Sequence, residues 1–334
     1  MKEQYGFVPA FPLPPLAPGE RERPILLVLR ARGLGDFVTA VPALRALSRT
    51  FSQHRPILAG PESTAELLAL AGLPWETVTV TGPVTPPWSG LSPPDIAVNL
   101  HGRGPQSTRA LAALHPRLLW AHYDPDDAIV PGPAWTVDLH EVDRWCRLLA
   151  YYGITADPED LRWPVPPEEK DTSSTVVIHP GAAFAARRWP ELRFAEIARH
   201  LRDQGMRVVV TGSPAEQRLA ERIARVAGLS PQDDLAGRTG LSQLASLIAH
   251  ARLVVSGDTG VAHLATAYGT PSVTLFGPSS PATWGPRIDR ERHRCLWSGT
   301  TGDPRATRVD PGLAAITTDE VLEACTDLLA SLPR

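Results

Sequence analysis

The chain has 334 residues, enough for two domains of ordinary size, and its 43% apolar and 21% charged residues are typical of a globular protein. A net charge of −3 argues against wholesale binding to nucleic acid or to an anionic membrane, although it leaves room for a local basic patch. No apolar run is long enough to span a bilayer. Cys146, Cys295 and Cys325 are widely spaced and odd in number, which argues against a disulfide framework and favours a reducing cytoplasm.

The first half of the chain predicts an extended arm followed by one Rossmann-like domain. Residues 1–23 contain early acids and repeated prolines, which would break the apolar core of a signal peptide. Residues 24–163 contain five short runs rich in β-forming residues, with helical patterns between several of them. These runs are "ILLVLR", "PILAG", "ETVTV", "DIAVNL" and "RLLWA".

The second half predicts a second domain of the same class. Leu161 to Ser174 is rich in proline and charge without periodicity, which is typical of a linker. Residues 164–316 then alternate the strands "TVVIHP", "RVVVTG", "RLVVSG" and "SVTLFG" with helical patterns. Residues 317–334 predict one more helix, capped by Thr317 or Thr318. Strands this apolar are buried on both faces, so the fold class is α/β with two doubly wound domains.

Glycine-rich or small-residue turns follow four strands of the second half: "HPGAA", "TGSPAE", "SGDTGVAH" and "FGPSSPATWGP". Ligands of open parallel sheets bind beyond the carboxyl ends of the strands. Neither the G-x-G-x-x-G dinucleotide fingerprint nor the P-loop sequence is present, so a dehydrogenase and a P-loop kinase are not indicated. The "DPDD" run from Asp124 to Asp127 lies in a proline-broken loop that does not favour a metal site, and no metal is expected.

The turn "VVSGDTGVAH" is the most informative of the four. The N–H groups of Thr259, Gly260 and Val261 at the start of a helix suit a diphosphate. Asp258 is placed to accept hydrogen bonds from sugar hydroxyls, and His263 follows on the helix. The structural alternative is that Asp258 caps this helix and His263 is a packed core residue.

Two other turns carry charged side chains that suit a nucleotide. Arg187 and Arg188 follow "HPGAA", and guanidinium groups bind phosphate oxygens well. The alternative is a solvated basic pair. Glu216 lies in the first turn of a helix, where it either binds ribose hydroxyls or is a surface acid favoured by the helix dipole.

The opening strand leads into "RARGLGDFV", which has the layout of a phosphate-binding loop with an acid, Asp36, at the helix start. A carboxylate there would repel a phosphate, so Asp36 is either a helix cap or a catalytic base. Gly33 and Gly35 would let the loop approach a substrate closely. Arg30 and Arg32 would either hold an anionic acceptor or be solvated.

These motifs together resemble glycosyltransferase family 9, the ADP-heptose:lipopolysaccharide heptosyltransferases and their relatives. The resemblance runs from about Ile25 to Pro286 and rests on "RARGLGDFVTAVPALRAL", "DIAVNLHGRG", "HPGAAFAARRWPELRF", "VVVTGSPAEQ" and the long block from "LAGRTG" to "TWGP". It implies a GT-B fold with an acceptor domain, a nucleotide-sugar domain and a cleft between them. It also implies inverting, metal-independent transfer without a cofactor, and a C-terminal helix that packs back onto the first domain.

The resemblance also implies a role for individual residues. Asp36 matches the family's proposed catalytic aspartate, with Arg32, Gly33 and Gly35 on the same acceptor-side loop. The donor-side matches are Arg187 for the phosphate, Glu216 for the ribose, Thr239 and Leu241 beside the adenine, Thr259 and Gly260 for the diphosphate, Asp258 for the transferred sugar, and His263 on the following helix.

This chain departs from the family at two places on the donor side. Ala182 and Ala183 stand where relatives often have a hydroxyl, and Arg187 stands where they usually have lysine. The donor's fine recognition is therefore open, and another ADP-, GDP- or UDP-sugar is the alternative donor. A non-catalytic nucleotide-sugar-binding protein is a further alternative, against which the presence of Asp36 with Asp258 and His263 argues. An epimerase of the same architecture is another, against which the match of the motif set to family 9 argues.

The acceptor is also open. The composition, with 35 prolines, resembles that of high-GC organisms, many of which lack lipopolysaccharide. A carbohydrate, a glycolipid or a small natural-product glycoside would each serve as acceptor. The expectation is a cytoplasmic monomer or weak homodimer, with at most peripheral association at the inner face of the membrane and no nucleic-acid partner.

Overall fold

The computed structural model describes residues 23–89, 91–127, 129–167 and 174–331, so most of the predicted arm and six residues of the predicted linker lie outside it. The first half forms a five-stranded parallel sheet with four helices. In chain order these elements are β1 (Ile25–Leu29), α1 (Leu34–Thr50), β2 (Arg55–Gly60), α2 (Thr64–Leu70), β3 (Glu76–Thr79), β4 (Ile96–Asn99), α3 (Gln106–Ala112), β5 (Leu118–Trp120) and α4 (Glu141–Tyr151).

The second half forms another five-stranded parallel sheet. Its elements are β6 (Thr175–His179), α5 (Glu191–Asp203), β7 (Arg207–Val210), α6 (Gln217–Ala227), α7 (Leu241–His250), β8 (Leu253–Gly257), α8 (Gly260–Tyr268), β9 (Ser272–Leu275), α9 (Pro281–Trp284), β10 (His293–Leu296), α10 (Pro311–Ala315) and α11 (Thr318–Ser331). All nine strands quoted from the sequence are present, and β10 is an additional one. The predicted doubly wound α/β class is confirmed.

The strand orders place one reversal point in each sheet. The first sheet runs β3-β2-β1-β4-β5, and the second runs β10-β9-β8-β6-β7. The central strand β1 pairs with both β2 and β4, so the loops after β1 and β4 diverge to opposite faces and leave a crevice. In the second sheet, the loops after β6 and β8 likewise diverge to opposite faces and leave a crevice. The residues of β1, "ILLVL", are all buried, as expected of a central strand covered on both faces.

The two sheets share one continuous apolar core, because α1 of the first packs directly against α8 of the second. Trp163 lies in this interface, with its ring at 5.9 Å and edge-on to both Phe37 of α1 and Tyr268 of α8. The backbone N–H of Trp163 also donates to the Ala267 carbonyl at 3.0 Å. Burial of this apolar surface holds the two halves together.

The C-terminal helix α11 packs on the second sheet. Its contacts are with α5, β9 and β10, and its apolar side chains Val321, Cys325 and Leu328 are part of the second domain's core. The expectation that this helix packs back onto the first domain is therefore wrong. Its apolar face is already covered by α5, β9 and β10 of the second domain. Its predicted cap is confirmed: Thr317 and Glu320 bond reciprocally, with the Glu320 N–H donating to Thr317 Oγ1 at 3.3 Å.

All three cysteines are free thiols. Across the described ranges, the structure has no helix that is both long and apolar enough to cross a membrane.

The contact between α1 and α8 predicts that a methyl group at Gly35 destabilises the protein. A Cβ on Gly35 would lie 2.6 Å from Cδ2 of the buried His263 ring, so the ring or the helix must move. Overpacking of this kind costs about 1–3 kcal/mol, which exceeds the gain of up to ~1 kcal/mol from replacing a helical glycine by alanine. Urea unfolding of Gly35→Ala should therefore show a lower free energy of unfolding than the wild type.

The matched control is Gly240→Ala, because Gly240 has φ −72° and no atom within 4 Å of the added methyl group. Because Gly240 is the N-cap of α7, where alanine is less favourable than glycine, this variant should lose at most about 1 kcal/mol and less than Gly35→Ala. A Gly35→Ala protein as stable as the wild type would show that the two helices are not in tight contact.

Candidate functional site

Asp36 is the third residue of α1, at the reversal point of the first sheet. The helix is capped by Gly33 without any side-chain capping bond, so the carboxylate does not act as a helix cap. It interacts instead with Arg30, whose Nη2 lies 3.3 Å from Asp36 Oδ1. The other oxygen, Oδ2, lies on the side of Gly33, where a Cβ would come within 4.0 Å of it. The absence of a side chain at Gly33 leaves room beside this oxygen.

Arg30 is almost completely buried and holds the loop from inside. Its Nε and Nη2 donate to the Asp36 carbonyl at 2.9 and 2.7 Å, and its Nη1 donates to the Leu100 carbonyl at 2.5 Å. The two interpretations offered for Arg30, an acceptor-binding residue and a solvated one, are therefore both wrong. Arg32 is exposed and donates from Nε to the His101 carbonyl at 2.5 Å, which ties the β1 loop to the β4 loop.

His101 was not identified as a site residue from the sequence, although it follows β4 at the same sheet edge. Its Nδ1 accepts a hydrogen bond from the Ala31 N–H at 3.2 Å. Burial, together with the nearby charges of Arg32 and Arg30, lowers the pKa of His101 to about 4. The ring is therefore neutral at physiological pH and carries its proton on Nε2, because Nδ1 is the acceptor.

The helix α4 and its buried Glu141 were also missed. The Glu141 carboxylate accepts from Arg30 Nη2 at 3.2 Å, from the Trp145 indole at 3.1 Å and from Arg144 Nε at 3.0 Å. Burial alone would raise the pKa of Glu141, but the charges of Arg30 and Arg144 outweigh it and the pKa is lowered. The spacing of Val142, Trp145, Cys146 and Leu149 is a helical pattern that would have revealed this segment.

The second sheet contributes Asp258, which is 5% exposed at the end of β8. Its N–H donates to the Leu275 carbonyl at 3.1 Å. Burial raises the pKa of the Asp258 carboxyl to about 6, against the opposing effects of Arg187 and a hydrogen bond from Ser279. The negative charge of Asp36 raises this pKa further. The two acids belong to neighbouring turns, because Leu34 and Gly35 beside Asp36 pack against Gly260 and His263 of α8.

Three polar atoms around the end of β8 are buried without a hydrogen-bond partner among the described residues: Ser256 Oγ, Thr259 Oγ1 and Arg187 Nε. Thr259 is the N-cap of α8, and its hydroxyl makes no capping bond. Arg187 Nη1 lies 3.3 Å from the Asp258 carbonyl, which places the guanidinium beside this helix start. Unsatisfied buried polar groups are costly, and a polar ligand would satisfy them. A positive helix end and a guanidinium favour an anionic one.

Arg188 has a different position from Arg187. Its Nε donates to the Ala182 carbonyl at 2.8 Å, and its side chain is otherwise exposed. It closes the "HPGAA" loop on itself, whereas Arg187 points toward α8. The structure thus separates the two arginines that the sequence places side by side.

Glu216 lies next to the "HPG" turn. Its Oε2 accepts from the N–H and the hydroxyl of Ser213, both at 2.8 Å, and a Cβ on Gly181 would collide with Oε1. The segment leading to Thr239 and Leu241 runs alongside, with the Gly237 N–H donating to the Gly212 carbonyl at 2.9 Å. The structure therefore brings the predicted ribose and adenine residues to neighbouring loops.

His263 is buried at the meeting point of α8 and α1. Its ring lies against Gly35 and is edge-on to Trp284 at 5.9 Å. Burial, with a smaller contribution from His140, lowers the pKa of His263 to about 4, so the ring is neutral. It is well packed, as the structural alternative expected, but it is packed against the loop of Asp36.

The "DPDD" run does not assemble a metal site. Asp124 Oδ1 accepts from the Asp126 N–H at 3.1 Å, and Asp127 pairs with Arg109 at 2.6 Å. Within the part of the chain that the structure covers, no group of three or more His, Cys, Asp or Glu side chains is arranged to hold a metal ion.

Comparison with known sequences identifies close relatives. The chain is 37% identical over 229 residues to lipopolysaccharide heptosyltransferase 2 of Escherichia coli (strain K12), and 36% identical over 230 residues to the protein of that name from Salmonella typhimurium. Each match covers 61% of this chain and 65% of the relative, so the matched region is slightly less than two thirds of either relative's length.

Comparison with solved structures establishes the GT-B fold. The structure titled E. coli ADP-heptose lps heptosyltransferase II superposes with a TM-score of 0.70 at 23% identity, covering 92% of this chain and 98% of that one. A glycosyl transferase family 9 structure from Veillonella parvula gives 0.72 at 19% identity, covering 94% and 99%. The sequence profile of glycosyltransferase family 9 (heptosyltransferase) matches residues 136–311, more than half of the chain. The chain therefore belongs to glycosyltransferase family 9.

Proposed function

We propose that this protein is an inverting glycosyltransferase that moves heptose from ADP-heptose to an acceptor hydroxyl without a metal, with Asp36 as the general base. One observation carries the proposal: the turn that bears Asp36 packs against the start of α8 in the second domain. There Asp258 is buried, and Thr259 Oγ1 and Arg187 Nε lack a partner among the described residues. A base on one side of a cleft and a leaving-group site on the other are what sugar transfer requires. The names of the two curated relatives support heptose as the transferred sugar.

The donor would bind the second domain. The start of α8 at Thr259 and Gly260, together with Arg187, would hold the diphosphate, because these groups supply free donors and positive charge. Glu216 would contact the ribose, while Thr239 and Leu241 flank the adenine. Asp258, at the boundary with the first domain, would face the transferred sugar, while His263 follows on α8 and packs against Gly35.

The chemistry would need one proton transfer and one displacement. The acceptor oxygen attacks the anomeric carbon from the face opposite the diphosphate and gives its proton to Asp36. The bond from that carbon to the diphosphate oxygen breaks, and the nucleoside diphosphate leaves with the electron pair. Helix N–H groups and Arg187 would stabilise the developing charge, which is an electrostatic task that a metal performs in other enzymes.

The acceptor would lie on the first domain beside Gly33 and Arg32. Gly35, which the sequence also assigned to this side, faces His263 of the second domain instead. The exposed Arg32 offers positive charge at this edge, which suits a phosphorylated or acidic glycan. The relatives' names favour a lipopolysaccharide-type glycolipid as the acceptor. In this proposal, a monomer or weak homodimer meets the acceptor at the inner face of the membrane. A small-molecule glycoside is the alternative acceptor.

The experiment that tests this function is a donor screen followed by transfer. ADP-, GDP- and UDP-linked sugars are compared by thermal shift, and the donors that stabilise the protein are then incubated with glycan acceptors while nucleoside diphosphate release is followed. Stabilisation by ADP-heptose and acceptor-dependent release of ADP support the proposal. Binding without transfer to any acceptor would favour a nucleotide-sugar-binding protein.

Asp36→Asn should separate base catalysis from binding. The substitution keeps size and an acceptor oxygen for Arg30, so the free energy of unfolding should change by no more than about 1 kcal/mol. Turnover should fall by about 10²–10⁴-fold, the usual contribution of a general base. ADP affinity, measured on the same sample by calorimetry, should stay within twofold of wild type. A folded variant with normal turnover would remove Asp36 from the mechanism.

Arg187→Ala should weaken ADP binding more than Arg188→Ala does. Loss of a hydrogen bond to a charged group costs about 1.5–3 kcal/mol, which corresponds to roughly a tenfold to hundredfold rise in Kd. Arg188 is tied to the Ala182 carbonyl, so its variant should change Kd by less than about threefold. Titrations in excess EDTA test metal independence at the same time. Equal losses for both variants, or loss of wild-type binding in EDTA, would contradict the assignment.

Asp258 predicts a pH-dependent penalty on stability. Its pKa is raised from 3.8 to about 6 in the folded protein, so its ionisation destabilises the fold. This effect is absent below pH 4 and grows as pH rises through about 6, where it approaches roughly 3 kcal/mol at ~1.4 kcal/mol per pKa unit. Retaining such a buried acid at the cleft fits a ligand-binding role better than a structural one.

Asp258→Asn should therefore be more stable than the wild type at pH 7.5, by about 1–3 kcal/mol. The advantage should shrink toward zero as pH falls to 4. Urea unfolding of both proteins at pH 4.0, 5.5 and 7.5 measures it. A constant difference between the two proteins across this range would mean that the Asp258 carboxyl does not titrate there.

A further inference from the structure

The turn that carries Asp36 is held by Arg30, a buried residue that follows β1. Arg30 contributes three hydrogen bonds to Asp36, two to its carbonyl and one to Oδ1. Its Nη2 also reaches Thr39 Oγ1 at 3.3 Å, and the Thr39 hydroxyl donates to the same Asp36 carbonyl at 3.0 Å. The first turn of α1 is therefore held by Arg30 at both the backbone and the side chain of one residue.

Arg30 in turn depends on α4. Glu141 Oε1 lies 3.2 Å from Arg30 Nη2, and the guanidinium lies over the Trp145 ring at 4.6 Å from its centroid. Glu141 is itself held by Trp145 and Arg144, so its carboxylate cannot rotate freely. A buried arginine with its charge unpaired would be costly, and Glu141 supplies the compensating charge.

We propose that Arg30 and Glu141 are positioning residues for Asp36, through which α4 fixes the proposed base without contacting the substrate. The inference rests on the function proposed above, since it assigns a role at that same site. Arg30 occupies Oδ1 and the carbonyl of Asp36, which leaves Oδ2 beside the open Gly33 position for an acceptor hydroxyl. A base held in one orientation needs no reorganisation before it takes a proton.

The neighbouring charges make Glu141 a selective probe. Charged and titratable groups reach Asp36 from four elements: Arg30 after β1, Glu141 behind it on α4, Asp258 after β8 and His263 on α8. Glu141 makes no hydrogen bond to the second domain within the described ranges. The hydrogen-bonded route from Glu141 to the reaction therefore runs through Arg30 and Asp36. The charge of Glu141 also acts on His263, and the double-mutant cycle with Asp36 separates the two effects.

Glu141→Gln removes this support with little change in shape. Both carboxylate oxygens accept from donors, Oε1 from Arg30 and Oε2 from Arg144. An amide has only one acceptor oxygen, so its NH₂ group must face one of these two arginines, donor against donor. The substitution necessarily breaks one side of the network.

The test is a double-mutant cycle of Glu141→Gln with Asp36→Asn. Turnover should fall about tenfold to a hundredfold when Glu141→Gln is made in the wild type, the scale expected for a misplaced catalytic group. The same change in the Asp36→Asn background should cost less than twofold, because the base it positions is already absent. ADP affinity should be unchanged in all four proteins. Equal losses in both backgrounds would overturn the proposal and leave Glu141 a structural residue.

Two further variants guard against loss of folding. Glu76→Gln is the matched control, because Glu76 pairs with Arg55 at the opposite end of the first sheet and should not alter turnover. Arg30→Lys keeps the charge but loses the fork that binds the Asp36 carbonyl twice, and it should show the same dependence on Asp36.

A crystal structure of Glu141→Gln provides a readout without activity. Displacement of Arg30 from Asp36 Oδ1 supports the proposal, while an unchanged Arg30–Asp36 geometry overturns it. Absence of transfer in the wild type would count against the proposed function only, since the crystallographic comparison still decides the positioning role.

Discussion

The packing of the start of α1 against the start of α8 determines the geometry of the rest of the site. Gly35 meets His263 and Gly260 meets Leu34, each at a distance that admits no extra carbon. These two glycines allow the reversal points of the two sheets to approach each other. A side chain at either position would separate the helices, and with them Asp36 from Asp258. The two domains can approach closely at this point because Gly35 and Gly260 have no side chains.

This packing brings the carboxylates of Asp36 and Asp258 near each other where water is partly excluded, so their negative charges repel. Each acid has its own arginine. Arg30 is buried, and its partners are Asp36 and Glu141. The Nε atom of Arg187 is also buried, but it has no hydrogen-bond partner among the described residues. The first arginine is fully used in fixing the loop of Asp36. The second still has donor capacity, which is the condition for binding an anionic ligand at the start of α8.

The sequence was a good guide wherever the signal was local. Nine strands, the four loops after the second sheet's strands and the cap at Thr317 follow from apolar runs, glycines and capping residues. Arg30 was misinterpreted because an arginine next to a glycine-rich loop looks solvated, and only the tertiary contacts with Leu100 and Glu141 show it to be buried. The packing of α11 was likewise unpredictable from its own amphipathic pattern, which shows an apolar face but not its partner.

The residues missed on α4 show what a motif-based interpretation leaves out. His140, Glu141 and Asp143 form the first turn of this helix, in a stretch without glycine or a recognised motif. Yet His140 bonds the Gly285 carbonyl at 3.0 Å and Asp143 pairs with Arg287 at 3.2 Å, both on the second domain, while Glu141 between them holds Arg30. One helical turn thus contacts both the facing domain and the support of Asp36. The contact between the two domains at Gly285 and Arg287 and the support of Arg30 and Asp36 therefore meet in the same helical turn, within residues 140–143.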